Sequence, residues 1–597
     1  MRLPLTARTV VRLIGACLAC ALAAPLAHAG SADPNKVIRP VFEANDDGFD
    51  MVRSNNNLYS TWVGQAIFET LLTYDYLARP VKLMPGTAEA MPEITDDGKT
   101  YLFRIKKGIH FTPDPAFKGK RRELTAADYA YSIKRILDPK NRSVQAPSFE
   151  GKIVGMDEAV AQAKKTDNFD YDAPIAGLEV VDRYTLRIRL TAPDPNFNYL
   201  LADVNTGAVA REVVEHYTSN LSHHPVGTGP YMLTKYMPQS KIILEANPDY
   251  RGFVWDFQSS GEAWDEQVIR DMKGKRMPQI GRVEISIIEE EQSRWLAFDS
   301  GQIDYDWIAP AAVPRVLDGG QLNASYRARG FQLYRFVNAD LTYAYFNFKD
   351  PVVGGYTKDK IALRRAMIMS YLLDDEIQQV RHGQAVPAQQ PVPPGIIGHD
   401  PNYRSGVPRS IDLANKLLDK FGYKKGADGW RTLPDGKPLL IKFATQASSL
   451  NQRLNEVWKR SFDRIGVKVD FAVSSFADNL KSATRCELMM WSLANNASIP
   501  DAVSFLEAYY GPNANQGNFG CYQSAVYDDL YRKIRLMPQS PERQALLRKM
   551  YRQLEVDGVQ NLHVHRIRPW LLQPWVKGFK KHPVQNGDWM YLDIVKK

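Results

Sequence analysis

Residues 96–137 read DDGKTYLFRIKKGIHFTPDPAFKGKRRELTAADYAYSIKRIL. Asp96-Asp97-Gly98 is a hairpin turn signal. Lys99–Ile105 alternates aromatic and apolar residues with polar ones, the pattern of a half-buried strand. Thr125 with Asp128 three residues on has the form of a helix N-cap closed by an acidic side chain. Tyr131, Ile133, Ile136 and Leu137 give that helix an apolar face, and Asp138-Pro139 stops it. One short stretch therefore holds turn, strand and helix, the grammar of a mixed α/β chain.

The same reading extends outward in both directions. A short helix is expected over Ala66–Leu72. Leu178–Leu190 reads as two strands around a turn, and Tyr231 onward and Lys241–Glu245 as a further pair. Val283–Ile288 alternates, Glu291–Phe298 is helical, and alternation resumes over Phe331–Phe348. Helices are expected at Lys360–Leu373, Ile411–Phe421, Gln452–Arg464 and Pro541–Asp557. Strands are expected at Leu439–Ala444, Val467–Val473 and Leu488–Trp491. Four prolines between Ala385 and Gly395 predict a surface strap without regular structure. Helix–strand alternation over 360–495 favours a sheet covered by helices, and the hairpin-like run before 340 a second, mixed sheet.

The chain has 597 residues, 44% hydrophobic and 24% charged, an ordinary globular composition with room for several structural units. Arg2, Arg8 and Arg12 precede the apolar run Leu13–Ala24, and Ala27-His28-Ala29 supplies the small residues of a cleavage site. Residues 1–29 read as a secretory signal peptide. Its removal takes the formal charge from +9 to +6, with no Lys/Arg block, so nucleic-acid binding is not implied. Cys486 and Cys521 remain. In an oxidising compartment they form either a disulfide or two buried thiols.

Catalytic motifs are missing. Gly227-x-Gly229 lacks the third glycine of a dinucleotide loop and leads into a strand. There is no phosphate-binding loop, no HExxH and no G-x-S-x-G elbow. His563-x-His565 and His223-His224 have no acidic or Cys partner at ligand spacing, so no metal is expected. Asp374-Asp375 and Asp528-Asp529 are adjacent pairs that do not face one another on a helix.

A series of short blocks then occurs in order: Ile67-Phe68-Glu69-Thr70-Leu71-Leu72, Ala88-Glu89, the 97–111 and 124–132 runs, Val226-Gly227-Thr228-Gly229-Pro230-Tyr231, Ala246-Asn247-Pro248-Asp249-Tyr250, Phe298-Asp299-Ser300-Gly301-Gln302-Ile303-Asp304, Leu363-Arg364-Arg365-Ala366, and Pro574-Trp575-Val576-Lys577-Gly578. Together they resemble the large solute-binding proteins of ABC transporters, the oligopeptide- and dipeptide-binding group. The resemblance implies an α/β, two-lobed periplasmic-binding-protein fold with an extra subdomain on the first lobe. Lobe I would comprise 30–76, 205–340 and 565–597, the subdomain 77–204, and lobe II 341–564. It further implies a periplasmic monomer without cofactor, a solute or oligopeptide held in the cleft by hinge closure, and delivery to an ABC permease in the inner membrane. A secreted hydrolase on the same scaffold and a periplasmic chaperone or sensor component are the alternatives.

In oligopeptide-binding relatives an aromatic residue on a lobe II strand lines the cleft, and an Asp three residues later meets the peptide ammonium. Here Trp491 matches the aromatic, with core filling as its other reading. Ala494 stands where the Asp is expected, followed by Asn495 and Asn496, and Asp501 lies farther on. A buried ammonium without a counter-charge is costly, so a free peptide amino terminus is not assured. By the same resemblance Asn55 and Asn56 approach the cleft edge, with a turn as the other reading. Arg566 stands at the C-terminal crossing, able to meet a carboxylate or to lie on the surface.

Overall fold

In the computed structural model, residues 32–54 and 57–595 are described. The expected signal peptide and Asn55 and Asn56 lie outside them. Three sheets organise the chain. In the first, Ile280–Ile287 is central, with Asp33–Ile38 and Val41–Phe42 parallel to it and Lys241–Ala246, then Tyr231–Met237, antiparallel. Ile38, Phe42, Trp62, Ile242, Val283 and Trp589 form its core. The second is a four-stranded antiparallel sheet, Glu93–Thr95, Thr100–Arg104, Thr185–Arg189 and Leu178–Asp182, packed on the helix Ala126–Leu137. That helix begins as its sequence dictates: the Asp128 carboxylate accepts the Thr125 N–H at 2.8 Å, closing a capping box.

The third sheet has eight strands. Its path is Tyr305–Trp307, Gln560–Leu572, Asp340–Phe346, Met490–Asn496, Leu440–Thr445, Lys468–Val473. Gln560–Leu572 is 13 residues long. Its first half pairs with Asp340–Phe346, and its second half with Gln332–Val337 and Tyr305–Trp307. Two neighbouring strand runs, 332–346 and 560–572, therefore lie side by side along their length. Around the strands Asp340–Phe346, Met490–Asn496 and Leu440–Thr445 the sheet is apolar on both faces: Leu363, Ile441, Trp458 and Met490 pack on one side, and Tyr343, Trp491, Phe505 and Tyr551 on the other. Helices Lys358–Ser370, Ser449–Arg464 and Pro541–Asp557 supply the covering layers. Arg364, fully buried, donates to the carbonyls of Val353, Gly355, Asp557 and Gly558. Its place in the recurring sequence blocks is thus structural.

Three expectations need correction. The first helix is Leu58–Ile67, and the chain is extended by Phe68 and a strand at Leu72–Tyr74. Asn57 caps it, accepting from the N–H groups of Tyr59 and Ser60. Its far end meets Gly229, whose N–H takes the Ile67 carbonyl at 2.8 Å. A Cβ on Gly227 would stand 2.0 Å from that oxygen, so close backbone approach requires this glycine. Second, the proline-rich strap opens with a strand, Ala385–Pro387, paired to Val564–Arg566. It is not superficial: Val392 is fully buried, and the Gln390 amide exchanges hydrogen bonds with the Asp400 backbone. Third, the Trp491 strand runs on to Asn496, because Asp340–Phe346 pairs along its whole length.

Candidate functional site

A cavity of about 870 Å³ lies between segments of 144–200 and segments of 476–536, within the size range of small-ligand sites. One wall comes from the region of the four-stranded sheet, and the other from the strand Met490–Asn496 and the loops after it. Lys152 and Asp194 form an ion pair on the first wall. The second wall is aromatic: Tyr343, Phe476, Tyr510, Phe519 and Tyr531 all face the cavity. Tyr510 and Tyr531 lie with ring centroids 4.6 Å apart.

Trp491 is 0% exposed and does not line this space. It packs on Phe476, centroids 5.5 Å apart, and Phe476 is the ring that looks into the cavity, 57% exposed. The expected cleft aromatic is therefore one layer back: Trp491 shares its strand face with Leu493 and Asn495, which line the cavity, but Phe476 lies between it and the open space. Ala494 and Asn495 line the cavity, whereas Asn496 is exposed outside it, opposite Asp340. Asp501 is buried and held by Arg543 at 2.6 Å, so it is not a spare carboxylate. Arg566 donates from Nε to Asp340 at 2.7 Å, and its backbone N–H reaches the other oxygen of the same carboxylate. Its charge is answered inside the protein, at the point where the two strand runs meet. Of the expected site residues that are described, only Asn495 stands on the cavity wall.

Reading the sequence misses Glu507. It begins the turn Glu507–Tyr509 after the short helix Val503–Leu506, and its exposed side chain faces the cavity. Enclosure pushes its carboxyl up to about 7, against the opposing pull of Arg535 and Lys152. Nothing in Leu506-Glu507-Ala508-Tyr509-Tyr510 marks a functional acid. Only the fold brings it opposite the 144–200 wall. Cys486 and Cys521 are joined as a disulfide, Cα atoms 6.1 Å apart, across a sequence separation of 35. The His563–Glu376 pair, at 3.2 Å, is fully buried, away from the cavity lining. Among the described residues no group of three His, Cys, Asp or Glu side chains could hold a metal, and no helix is long and apolar enough to cross a membrane.

The sequence profile of the bacterial extracellular solute-binding proteins, family 5 (middle region), matches residues 82–517. The chain belongs to this family. It is 25% identical over 525 residues to heme-binding protein A of Haemophilus influenzae, covering 84% of this chain and 82% of that protein. It is 23% identical to di/tripeptide-binding protein 1 of Pseudomonas aeruginosa, covering 85% and 84%. The fold is similar to that of the periplasmic binding protein DppA of Helicobacter pylori in complex with peptide STSA. There the TM-score is 0.72 at 21% identity, over 94% of this chain and 98% of the other. The family 5 protein is thus a two-lobed solute-binding protein, and the family is made of binding proteins rather than enzymes.

Proposed function

We propose that this family 5 protein is the periplasmic receptor of an ABC importer, taking a peptide or a solute of similar size into its cavity and passing it unaltered to a permease. The observation that carries the reading is the 870 Å³ cavity, walled by two parts of the chain with separate apolar cores. The names of relatives that bind di- and tripeptides, and of one in complex with a tetrapeptide, support the ligand class. Lobe I (30–76, 205–340, 565–597), the added subdomain (77–204) and lobe II (341–564) are the moving parts of this reading. The paired crossing strands are the hinge, with a register shift between Thr342 and Tyr343 as its soft point.

Native mass spectrometry of the purified protein mixed with a tripeptide pool tests it, together with small-angle scattering of the same samples. One-to-one peptide adducts, a more compact envelope and intact peptides are expected. Absence of adducts, or peptide fragments accumulating with time, would reject the reading.

A further inference from the structure

We propose that this protein has a second ligand site, separate from the large cavity, which takes a small monocarboxylic acid with an aromatic or branched apolar body, its carboxylate meeting the Lys106 ammonium.

A second cavity, of about 380 Å³, is walled by segments of 65–106, 202–257 and 585–591. Its volume falls in the range of small-ligand sites. It shares no described lining residue with the larger cavity, and none of its walls comes from 341–564. Filling it therefore asks nothing of the hinge closure proposed above. Much of the lining is apolar. Phe68 and Val204 are buried beneath it, and Tyr250, Phe253, Phe257 and Tyr591 give it an aromatic side. Phe253 and Phe257 each meet Tyr591 edge-on, with centroids 5.7 Å apart. Val254, 57% exposed, continues the apolar lining to the surface.

The charges on this lining are unevenly answered. The Arg251 guanidinium grips the Glu69 carboxylate with both terminal nitrogens, at 2.7 and 2.8 Å, and the Thr228 hydroxyl donates to the same carboxylate. Asp75 accepts the N–H groups of Leu77 and Ala78. Lys82 and Asp256 are exposed. Lys106 is half-buried and donates one hydrogen bond, to the Gly86 carbonyl at 2.7 Å. An ammonium carries three N–H groups. No carboxylate of a described residue touches this one: Glu69 is committed to Arg251, and Glu89, which does not line the cavity, acts from beyond ion-pair distance. Burial, and then the neighbouring Arg251 charge, push the Lys106 pKa below its ordinary value. A carboxylate arriving here gains charge-assisted hydrogen bonds and offsets the repulsion between the two cations. One half-buried, uncommitted cation among rings suits a single negative charge on an apolar body, and the rings take that body.

The test is isothermal titration calorimetry of the full mature protein with naphthoate and its neutral isostere naphthamide. Thermal melting confirms that each variant is folded. Wild type is expected to bind one equivalent of naphthoate, at least tenfold more tightly than naphthamide. Lys106→Gln should abolish this preference, and Lys106→Arg should keep part of it. Phe253→Ala should weaken both probes alike, several-fold. A saturating tripeptide pool should not displace naphthoate. Absence of naphthoate binding, or equal affinity for acid and amide, overturns the inference. So does a preference that survives in folded Lys106→Gln, unchanged affinities in Phe253→Ala, or displacement by the peptides. None of these outcomes touches the peptide-receptor reading, which stands or falls on the peptide adducts.

Discussion

On one wall of the cavity Lys152 is answered by Asp194; on the other, Glu507 faces open space with no partner in contact. The same contrast separates two aromatic residues of the second wall, where Trp491 is sealed in the core and Phe476, packed against it, looks outward. Paired charges and sealed rings serve the fold, and unpaired ones mark where a ligand completes the structure.

The contrast can be broken by experiment. The largest effect is expected from Trp491→Ala, which should cost about 3–5 kcal/mol of stability in chemical denaturation because it empties a core position. Phe476→Ala should cost far less and act mainly on ligand retention. Equal costs would erase the distinction between core and cavity aromatics. Next, replacing Cys486 and Cys521 by Ser should cost about 3–4 kcal/mol, the chain-entropy value for a loop of this length, again read by denaturation.

His565 provides a third probe. Burial holds its imidazole down to about 4. A histidine kept neutral in the fold contributes stability that is fully present above its unfolded value and is lost as pH falls towards the folded value. Between pH 6.5 and 4 that loss is on the order of 3 kcal/mol. Measured as the difference between wild type and His565→Gln, it should shrink across this window. A constant difference would show that His565 is not held neutral. The smallest effect belongs to Lys152→Ala: about 1 kcal/mol or less, since a partly exposed pair is worth little. A double-mutant cycle with Asp194→Ala, read by denaturation, checks it. A coupling well above about 1 kcal/mol would show a pair that water does not screen.

Much of the architecture was legible because local signals were strong and agreed with the packing. The capping residues Thr125 and Asp128, the stop at Asp138-Pro139 and the helix Pro541–Asp557 all lie where their residues place them. The first helix was misplaced because its boundary depends on Gly227 and Gly229, remote in sequence, pressing on Ile67. The proline strap was misjudged because prolines exclude interior strands but not burial against one edge. The candidate site was the least legible part. Alternation puts Trp491 on the strand face that borders the cavity, but nothing local shows that Phe476, from the separate helix Phe476–Thr484, covers it. Glu507 becomes visible only when 144–200 closes the opposite side.

The Cys486–Cys521 link brackets the cavity-lining run from Leu493 through Glu507 to Phe519, with Tyr343, Phe476 and Tyr531 outside it. Cutting it would free the recognition surface at both ends and leave the helix-covered layers standing. Chain matured in a reducing cytosol should therefore emerge as a well-formed shell with a slack grip, and an assay of shape alone would pass it as sound.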